Sequence, residues 1–344
     1  MVIRPTLLAV VSFVAVAATT SCDKTPPAKS SNGSATLTRL LDVVQEENVK
    51  ESIGMQLKYS RPIERLPDVT LAGEEARAAH AKALLDTLAA IPRESLSEQE
   101  QVSADVVEWI LQSATQEPKY HWLNFSAITP YQSPLTNALL FLGRDMPLDT
   151  PEARARYLAR MGEIGALVDS IQGGLAARAT RGIRVSKPEI RQIVGALGAI
   201  QAPGSASPYA PPAARLTALP DSVRPVFAAD VARIVDTSVN PALGRLIAFL
   251  GGDYMKQAPD QVGLKQYPGG EEYYRFLVKQ NTTLEVKPEE IQQRGFTHLA
   301  SLEHSMDSLL QVIGYKGTRK TFIASINRDP RFMAKTPEEA GAFY

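Results

Sequence analysis

Apolar side chains in this sequence recur at alternating steps of four and three residues over long stretches. That spacing places them on one face of an α-helix, which completes a turn about every 3.6 residues. Two capping boxes, Ser97-x-x-Glu100 and Ser186-x-x-Glu189, mark helix starts, and the alternating pattern of a strand is almost absent. The two clearest apolar series are Tyr157, Met161, Ile164, Val168, Ile171 and Leu175, and Leu299, Leu302, Met306, Leu309 and Ile313. We therefore predict a mostly α protein, a multi-helix domain of long antiparallel helices.

The sequence from residue 37 to residue 344 is predicted to form one helical domain. The predicted helices span residues 37–54, 72–91, 97–116, 151–180, 187–201, 220–256, 270–281, 288–313, 319–327 and 337 onward. Pro241 should kink the long helix at 220–256. Residues 120–142, which contain two prolines, are predicted to be irregular, with a short strand or a buried loop. Residues 202–220 contain five prolines and little apolar content, which predicts a surface loop rather than a domain linker.

The first 36 residues predict export and lipid anchoring. A single positive charge, Arg4, precedes a 15-residue apolar run, and small residues then lead to Cys22, the only cysteine. This is the layout of a signal peptide, and the small residue before the cysteine resembles a bacterial lipoprotein signal, in which the cysteine is acylated after cleavage. We predict a signal peptide over residues 1–21, lipidation at Cys22 and a flexible tether over residues 22–36, which are rich in Pro, Ser, Gly and Lys. The alternative is that Cys22 is an ordinary thiol just past a secretory signal.

Charge and cysteine content exclude several classes of protein. Lys and Arg number 37, and Asp and Glu also number 37, so the formal net charge of zero argues against a nucleic-acid binder. One cysteine permits neither an intrachain disulfide nor a Cys-based zinc cluster. The expected partners are the lipid bilayer, reached through acylated Cys22, and peptides. The expected location is the cell envelope, on the periplasmic side if the host is Gram-negative.

The residues themselves supply no catalytic motif. No H-E-x-x-H is present, and Ala300 stands where an H-x-x-E-H motif at 300–304 would need its first histidine. His298 and His304 are six residues apart, which separates them by about 120° around a helix and prevents them from chelating one metal ion. Nucleophile elbows, Walker A loops and dinucleotide-binding glycine motifs are also missing. The remaining histidines are His80 and His121. We therefore predict no catalytic residue and no metal ligand.

One segment, residues 263–295, is unusual. A Pro-Gly-Gly turn at 268–270 opens a short helix whose first turn is acidic, as the helix dipole prefers. Tyr273 and Tyr274 follow the turn. Two interpretations remain open: a tight turn and helix start with Tyr274 packed and Tyr273 at the rim, or a loop that faces substrate.

This segment resembles the bacterial domain-of-unknown-function family 885. That family carries Pro-Gly-Gly-x-x-Tyr-Tyr, a Thr-Thr pair, and Pro-x-Glu-Ile ending in Gly. The matching positions here are Pro268, Gly269, Gly270, Tyr273, Tyr274, Thr282, Thr283, Pro288, Glu290, Ile291 and Gly295. Gln292 stands where the family usually has a histidine. From this resemblance we predict that the substrate-binding residues are Gly269, Gly270, Tyr273, Tyr274, Thr282 and Thr283.

The resemblance also implies a helical, secreted or lipid-anchored protein similar to zinc metallopeptidases. In such an enzyme a zinc-activated water attacks the peptide carbonyl, with a glutamate as general base. The family's proposed metal motif, a His-Glu followed by Pro-Gly-His, lies far downstream in a longer chain and has no match here. We therefore expect no cofactor in this chain and zinc only in a full-length family member.

Thr336-Pro337-Glu338-Glu339 is a strong signal for a helix start, but the helix it predicts extends no further than Tyr344. Isolated helices this short are marginal in water. This favours the amino-terminal part of a metallopeptidase-like hydrolase, a fragment that is inactive alone. The alternatives are a native terminus whose last helix docks on the body, a non-catalytic helical lipoprotein that binds a peptide or partner protein, and a periplasmic scaffold of helical hairpins.

Overall fold

The computed structural model describes residues 32–131 and 133–342. Every regular element in those two ranges is helical, which confirms the predicted mostly α fold. None of the helices formed by these residues combines the length and the apolar character needed to cross a bilayer.

The α-helices follow the predicted order closely. They are α1 Asn32–Glu51, α2 Ile53–Lys58, α3 Leu71–Ala89, α4 Glu98–Gln116, α5 Pro134–Asp145, α6 Pro151–Ala179, α7 Lys187–Ile200, α8 Ala213–Thr217, α9 Arg224–Ile234, α10 Asn240–Phe249, α11 Gly270–Thr282, α12 Pro288–Val312, α13 Arg319–Ile326 and α14 Pro337–Gly341. Short 3₁₀ turns occupy Arg93–Ser95, Glu117–Leu123, Ser126–Ile128, Gly204–Ala206, Leu264–Gln266 and Pro330–Phe332. The described residues divide into two compact units, the first ending at Tyr274 and the second beginning at Arg275.

The core of the first unit is built on α6. All six residues of its predicted apolar stripe, from Tyr157 to Leu175, are buried. The helix packs against α5, α9 and α10. The hydroxyl of Tyr157 donates a hydrogen bond to the backbone carbonyl of Tyr209, which is itself fully buried. A second, smaller core joins α1, α3 and α4 through residues such as Leu37, Leu88 and Val107.

Helix starts are fixed by local capping. The predicted capping box at Ser97 is confirmed, because the Ser97 amide donates to the Glu100 carboxylate over 2.8 Å while the Glu100 amide donates to the Ser97 hydroxyl over 3.4 Å. The box at Ser186 forms only in part: its hydroxyl donates to the Glu189 carboxylate at 2.8 Å but accepts no backbone hydrogen bond. Each cap of this kind contributes about 1 kcal/mol to the free energy of unfolding.

Residues 32–36, the last part of the predicted tether, form the start of α1 rather than flexible chain. The predicted signal peptide, Cys22 and the predicted tether residues 22–31 lie outside the described residues. The hydroxyl of Ser34 donates to the carboxylate of Glu100, and a Cβ added at Gly33 would collide with Ser95. These contacts come from α4 and the turn before it, so polar composition alone did not reveal them.

Two other segments differ from prediction. Residues 120–142 hold no strand among their described residues; they contain 3₁₀ turns and the start of α5, where Pro134 occupies the first turn and Ser133 caps it. The prediction of a surface loop over residues 202–220 is wrong in two respects. Tyr209, within this segment, is fully buried, and Ala213–Thr217 is helical. The prolines of this second segment stop regular helices but do not prevent burial of the residues between them.

The predicted helix 220–256 begins at Arg224 and is interrupted rather than continuous. A π turn at Val235–Val239 leads directly to α10, in which Pro241 lies in the first turn. A proline ring has no N–H and clashes with the carbonyl four residues earlier, so the hydrogen-bond ladder must change at this point. A second π turn, Leu250–Tyr254, contains Gly252 with a non-helical ψ of −135°.

The second unit is a short series of helices. Arg319 at the start of α13 pairs with Glu303 at 3.2 Å and with Asp307 at 3.0 Å on α12, and the rings of Tyr315 and Phe322 meet edge to face. The predicted helix over 288–313 is confirmed. Its apolar stripe from Leu299 to Ile313, however, is exposed.

Candidate functional site

The Pro-Gly-Gly turn is built so that only glycine fits. Gly269 has a φ of +76°, in the left-handed region that favours glycine. A Cβ on Gly270 would lie 1.8 Å from the carbonyl oxygen of Leu264, which no side chain tolerates. The backbone of the 264–266 turn therefore closes directly against the first residue of α11.

The two motif tyrosines have opposite environments. Tyr273 is buried and stacks on Tyr120, with ring centroids 4.9 Å apart and an interplanar angle of 23°. Tyr274 is 49% exposed. The sequence interpretation with Tyr274 packed and Tyr273 at the rim is therefore wrong. The 3₁₀ turn Glu117–Leu123 determines which tyrosine is buried, because it supplies Tyr120. It also supplies Lys119, the ion-pair partner of Glu272.

A buried arginine lies beside this turn. Arg178, in the last turn of α6, is only 7% exposed. Its Nη2 donates to the backbone carbonyls of His121 at 2.6 Å and Asn124 at 3.0 Å. Burial lowers the pKa of the Arg178 guanidinium, while the Glu74 carboxylate and the hydroxyls of Tyr254 and Tyr273 act in the opposite direction.

A histidine–carboxylate pair completes the arrangement. Nδ1 of His121 lies 2.9 Å from Oε2 of Glu74, and both side chains are largely shielded from solvent. Glu74 comes from the first turn of α3, and His121 comes from the 3₁₀ turn. The ring of Trp122 meets the His121 ring edge to face. The guanidinium carbon of Arg181 lies over the Trp122 ring, 3.7 Å from the centroid of that ring. We call Glu74, His121, Asn124 and Arg178 the Arg178 cluster.

A small cavity adjoins this cluster. Its volume is about 10 Å³, and its walls include Asn124, Phe125, Ser170, Gly174 and Arg178. That is close to the space one water-sized group requires. Gly174 matters because a Cβ there would lie 3.0 Å from Nη1 of Arg178. A guanidinium in such a place can donate hydrogen bonds to a carbonyl or carboxylate oxygen.

The two motif threonines lie at the other end of α11. Thr282 donates to the carbonyl of Val278 at 2.8 Å and accepts from the amide of Leu284 at 3.2 Å, and Thr283 has a φ of +60°. Their local role is to end the helix. Because a helix rises about 1.5 Å per residue, they are separated from Gly270 by most of the length of α11. Thr282 and Thr283 belong to the second compact unit, whereas Gly269, Gly270, Tyr273 and Tyr274 belong to the first.

The described residues do not fit a zinc ion. No group of three or more His, Cys, Asp or Glu residues within 32–131 and 133–342 is placed to hold a metal, and a catalytic zinc needs about three protein ligands. The buried pair of Glu74 and His121 has the positive Arg178 guanidinium near it, which opposes a second cation. His80 pairs at the surface with Glu47, while His298 and His304 are exposed on α12.

Sequence reasoning missed the Arg178 cluster. One signal was available: Arg178 follows Leu175 by three residues and so continues the α6 stripe, placing a charge where the pattern predicts a buried side chain. His121 and Glu74 gave no comparable signal, because they come from different elements and meet only in the fold.

Comparison with known families agrees with the motif. Residues 50–343 match the family described as "Bacterial protein of unknown function (DUF885)". The chain belongs to this family, which confirms the resemblance drawn from residues 263–295.

A solved structure shares the fold. The crystal structure of a "putative lipoprotein from Colwellia psychrerythraea" matches with a TM-score of 0.76 at 18% sequence identity. The match covers 91% of this chain and 57% of that chain, so this chain spans little more than half the length of its solved relative. None of the curated proteins searched matches this chain.

Proposed function

We propose that this chain is the amino-terminal helical part of an exported, lipid-anchored, metallopeptidase-like hydrolase. In this proposal the chain forms one wall of the peptide-binding cleft, and the metal ligands are supplied by residues outside it. By itself the chain is inactive.

One observation carries this proposal. The chain covers 57% of a longer protein that has the same fold, while the described residues contain no group of three potential ligands placed to hold a metal. Family membership over residues 50–343 supports a metal site whose ligands lie in the unmatched part of the longer protein.

Within the proposed wall, Tyr274 is the residue best placed to meet a peptide. Its neighbour Tyr273 is held by Tyr120, and Gly269 and Gly270 are committed to the turn. Tyr274 instead presents half of its surface to solvent, where an aromatic ring can stack on a substrate side chain. Thr282 and Thr283 support this wall indirectly by ending α11.

The proposed anchor is an acylated Cys22. The solved structure is described as a "putative lipoprotein", and Cys22 is the only cysteine of this chain. Expressed with its leader, the protein should incorporate radiolabelled palmitate and partition into detergent. Cys22→Ser should abolish both, whereas labelling that persists in this variant would rule out the anchor.

Zinc content and turnover test the hydrolase proposal. The 344-residue chain and the same reading frame continued to its natural stop codon are purified, analysed for zinc and assayed with a quenched-fluorescent peptide library. We expect stoichiometric zinc and hydrolysis only in the longer protein. Tyr274→Ala should raise the KM of that protein several-fold with little change in kcat, and Tyr59→Ala, another exposed tyrosine, serves as the control.

Two outcomes would refute the proposal. Zinc-dependent turnover by the 344-residue chain would show that its own residues hold the metal. A longer protein without zinc or turnover, but with saturable peptide binding, would instead identify a non-catalytic peptide-binding lipoprotein.

A further inference from the structure

Helix α12 has an apolar face that none of the described residues of its own unit covers. We define the α12 face as Leu299, Leu302, Met306, Leu309 and Ile313. These residues follow one another at steps of three and four, so they form one stripe. Their exposed fractions run from 41% at Met306 to 64% at Leu309.

The side of α12 opposite this face is mainly polar, which makes the face distinct. Thr297, His304 and Ser308 lie on the opposite side of the helix. Helix α13 contacts the flank at Glu303 and Asp307 through Arg319 and leaves the α12 face open. The face therefore has the pattern of a helix that packs against another surface.

The second unit lacks a core of its own. Among its described residues, 275–342, the only buried apolar side chain is Leu310. Large apolar residues are also exposed elsewhere in this unit, namely Leu284, Phe296, Ile323, Phe332 and Met333. An exposed apolar stripe such as the α12 face usually marks an interaction site.

The distribution of these residues decides between possible partners. A second copy packed helix against helix would cover the α12 face but not Ile323 on α13 or Phe332 beyond it. A folded segment that wraps around several elements could cover them all. More than two fifths of the solved chain has no counterpart here, which is long enough for such a segment.

We propose that the α12 face is the docking surface for the part of the full-length protein that has no counterpart in this chain. The partner is a folded polypeptide with a complementary apolar surface, continuous with this chain. This inference rests on the proposed function in one respect, that the chain is the amino-terminal part of a longer protein.

Thiol accessibility tests the inference. In a Cys22→Ser background, Leu302→Cys introduces the only thiol at the centre of the α12 face. Its reaction rate with a fluorescent maleimide is measured in the 344-residue chain and in the chain continued to its stop codon. We expect rapid labelling of the shorter chain and labelling at least tenfold slower in the longer one.

Ser308→Cys is the matched control. It lies on the polar side of the same helix and is exposed, so it should react at the same rate in both chains. Equal rates for Leu302→Cys in both chains would overturn the inference. Slow labelling of the shorter chain, together with a dimer mass by light scattering, would assign the face to a second copy and would also overturn it.

The hydrolase proposal is judged separately, on the unmodified longer protein. Zinc and turnover together with a reactive Leu302→Cys would refute the docking inference alone. A protected Leu302→Cys without zinc or turnover would support docking and refute the hydrolase. A stop codon directly after codon 344 would refute both.

Discussion

Arg178 shows how a single residue can depart from the pattern around it. The α6 stripe is apolar for six positions, and the next position is a buried guanidinium held by the carbonyls of His121 and Asn124. A buried charge needs compensation from hydrogen bonds or opposite charges. Two backbone carbonyls accept from Nη2 and the nearby Glu74 carboxylate favours the charged form, while Nε has no hydrogen-bond partner among the described residues.

Replacing Arg178 should therefore be costly. Arg178→Met keeps a similar shape but removes the donor shared by the carbonyls of His121 and Asn124, so we expect the free energy of unfolding to fall by about 2 kcal/mol. Urea unfolding followed by tryptophan fluorescence measures this change. Arg181→Met is the control, because Arg181 is exposed beside the same Trp122. A loss as large in the control would contradict a specific role for the buried guanidinium.

At the residue scale, the sequence drew attention to Tyr273 and Tyr274 but did not predict which of them is buried. Which tyrosine is buried depends on Tyr120, 153 positions before Tyr273 in the chain and in contact with it only in the folded state. Sequence pattern carries no information about such a distant partner. The same reason explains why Glu74 and His121 were not found together.

At the element scale, prediction succeeded wherever the signal was local. Helix α6 was predicted at 151–180 and lies at Pro151–Ala179, because Thr150 caps it and its stripe has an unbroken period. The prediction was wrong at residues 32–36 and at Tyr209, where contacts with residues distant in the sequence outweigh a polar or proline-rich composition. Capping and periodicity act within a few residues, whereas these contacts do not.

The start of α11 offers a test at this scale. Gly270→Ala should lower the free energy of unfolding by more than about 2 kcal/mol, because its Cβ would occupy the position of the Leu264 carbonyl. The matched control is Gly162→Ala, in the exposed middle of α6 with no atom within 4 Å of the added Cβ. There alanine should stabilise by about 0.5–1 kcal/mol, since glycine is the poorer helix former. Thermal unfolding of both variants measures the difference, and a shift of the same sign in both would contradict this account.

At the scale of the whole molecule, buried tyrosines link stability to pH. Burial raises the pKa of the phenols of Tyr157, Tyr209, Tyr254 and Tyr267. The folded state therefore favours the neutral phenol, while the unfolded chain ionises near pH 10. The resulting stabilisation is fully present below about pH 10 and is lost as the pH rises towards the raised values of the folded state.

We therefore expect the urea midpoint to fall steeply above about pH 10. Each of these tyrosines adds a slope of up to about 1.4 kcal/mol per pH unit. Absorbance at 295 nm should show these phenols ionising only as helical circular dichroism is lost. Tyr254→Phe should flatten the fall, and Tyr59→Phe, at the surface, should leave it unchanged. Ionisation of all eleven tyrosines in a chain that keeps its native dichroism would refute this prediction.

The segment around Tyr209 has a consequence for handling the protein. Its prolines give it the composition of a linker that proteases cut easily. Hydrogen bonds nevertheless hold it to the core: the hydroxyl of Tyr157 donates to the carbonyl of Tyr209, and the guanidinium of Arg215 donates to the carbonyls of Gly143 and Met146. This segment must unfold locally, with loss of these hydrogen bonds, before a protease can cleave it. Trypsin should accordingly cut the native protein after Arg215 later than after Lys316, which is exposed in the non-helical link between α12 and α13, although both bonds are open to trypsin once the chain is unfolded.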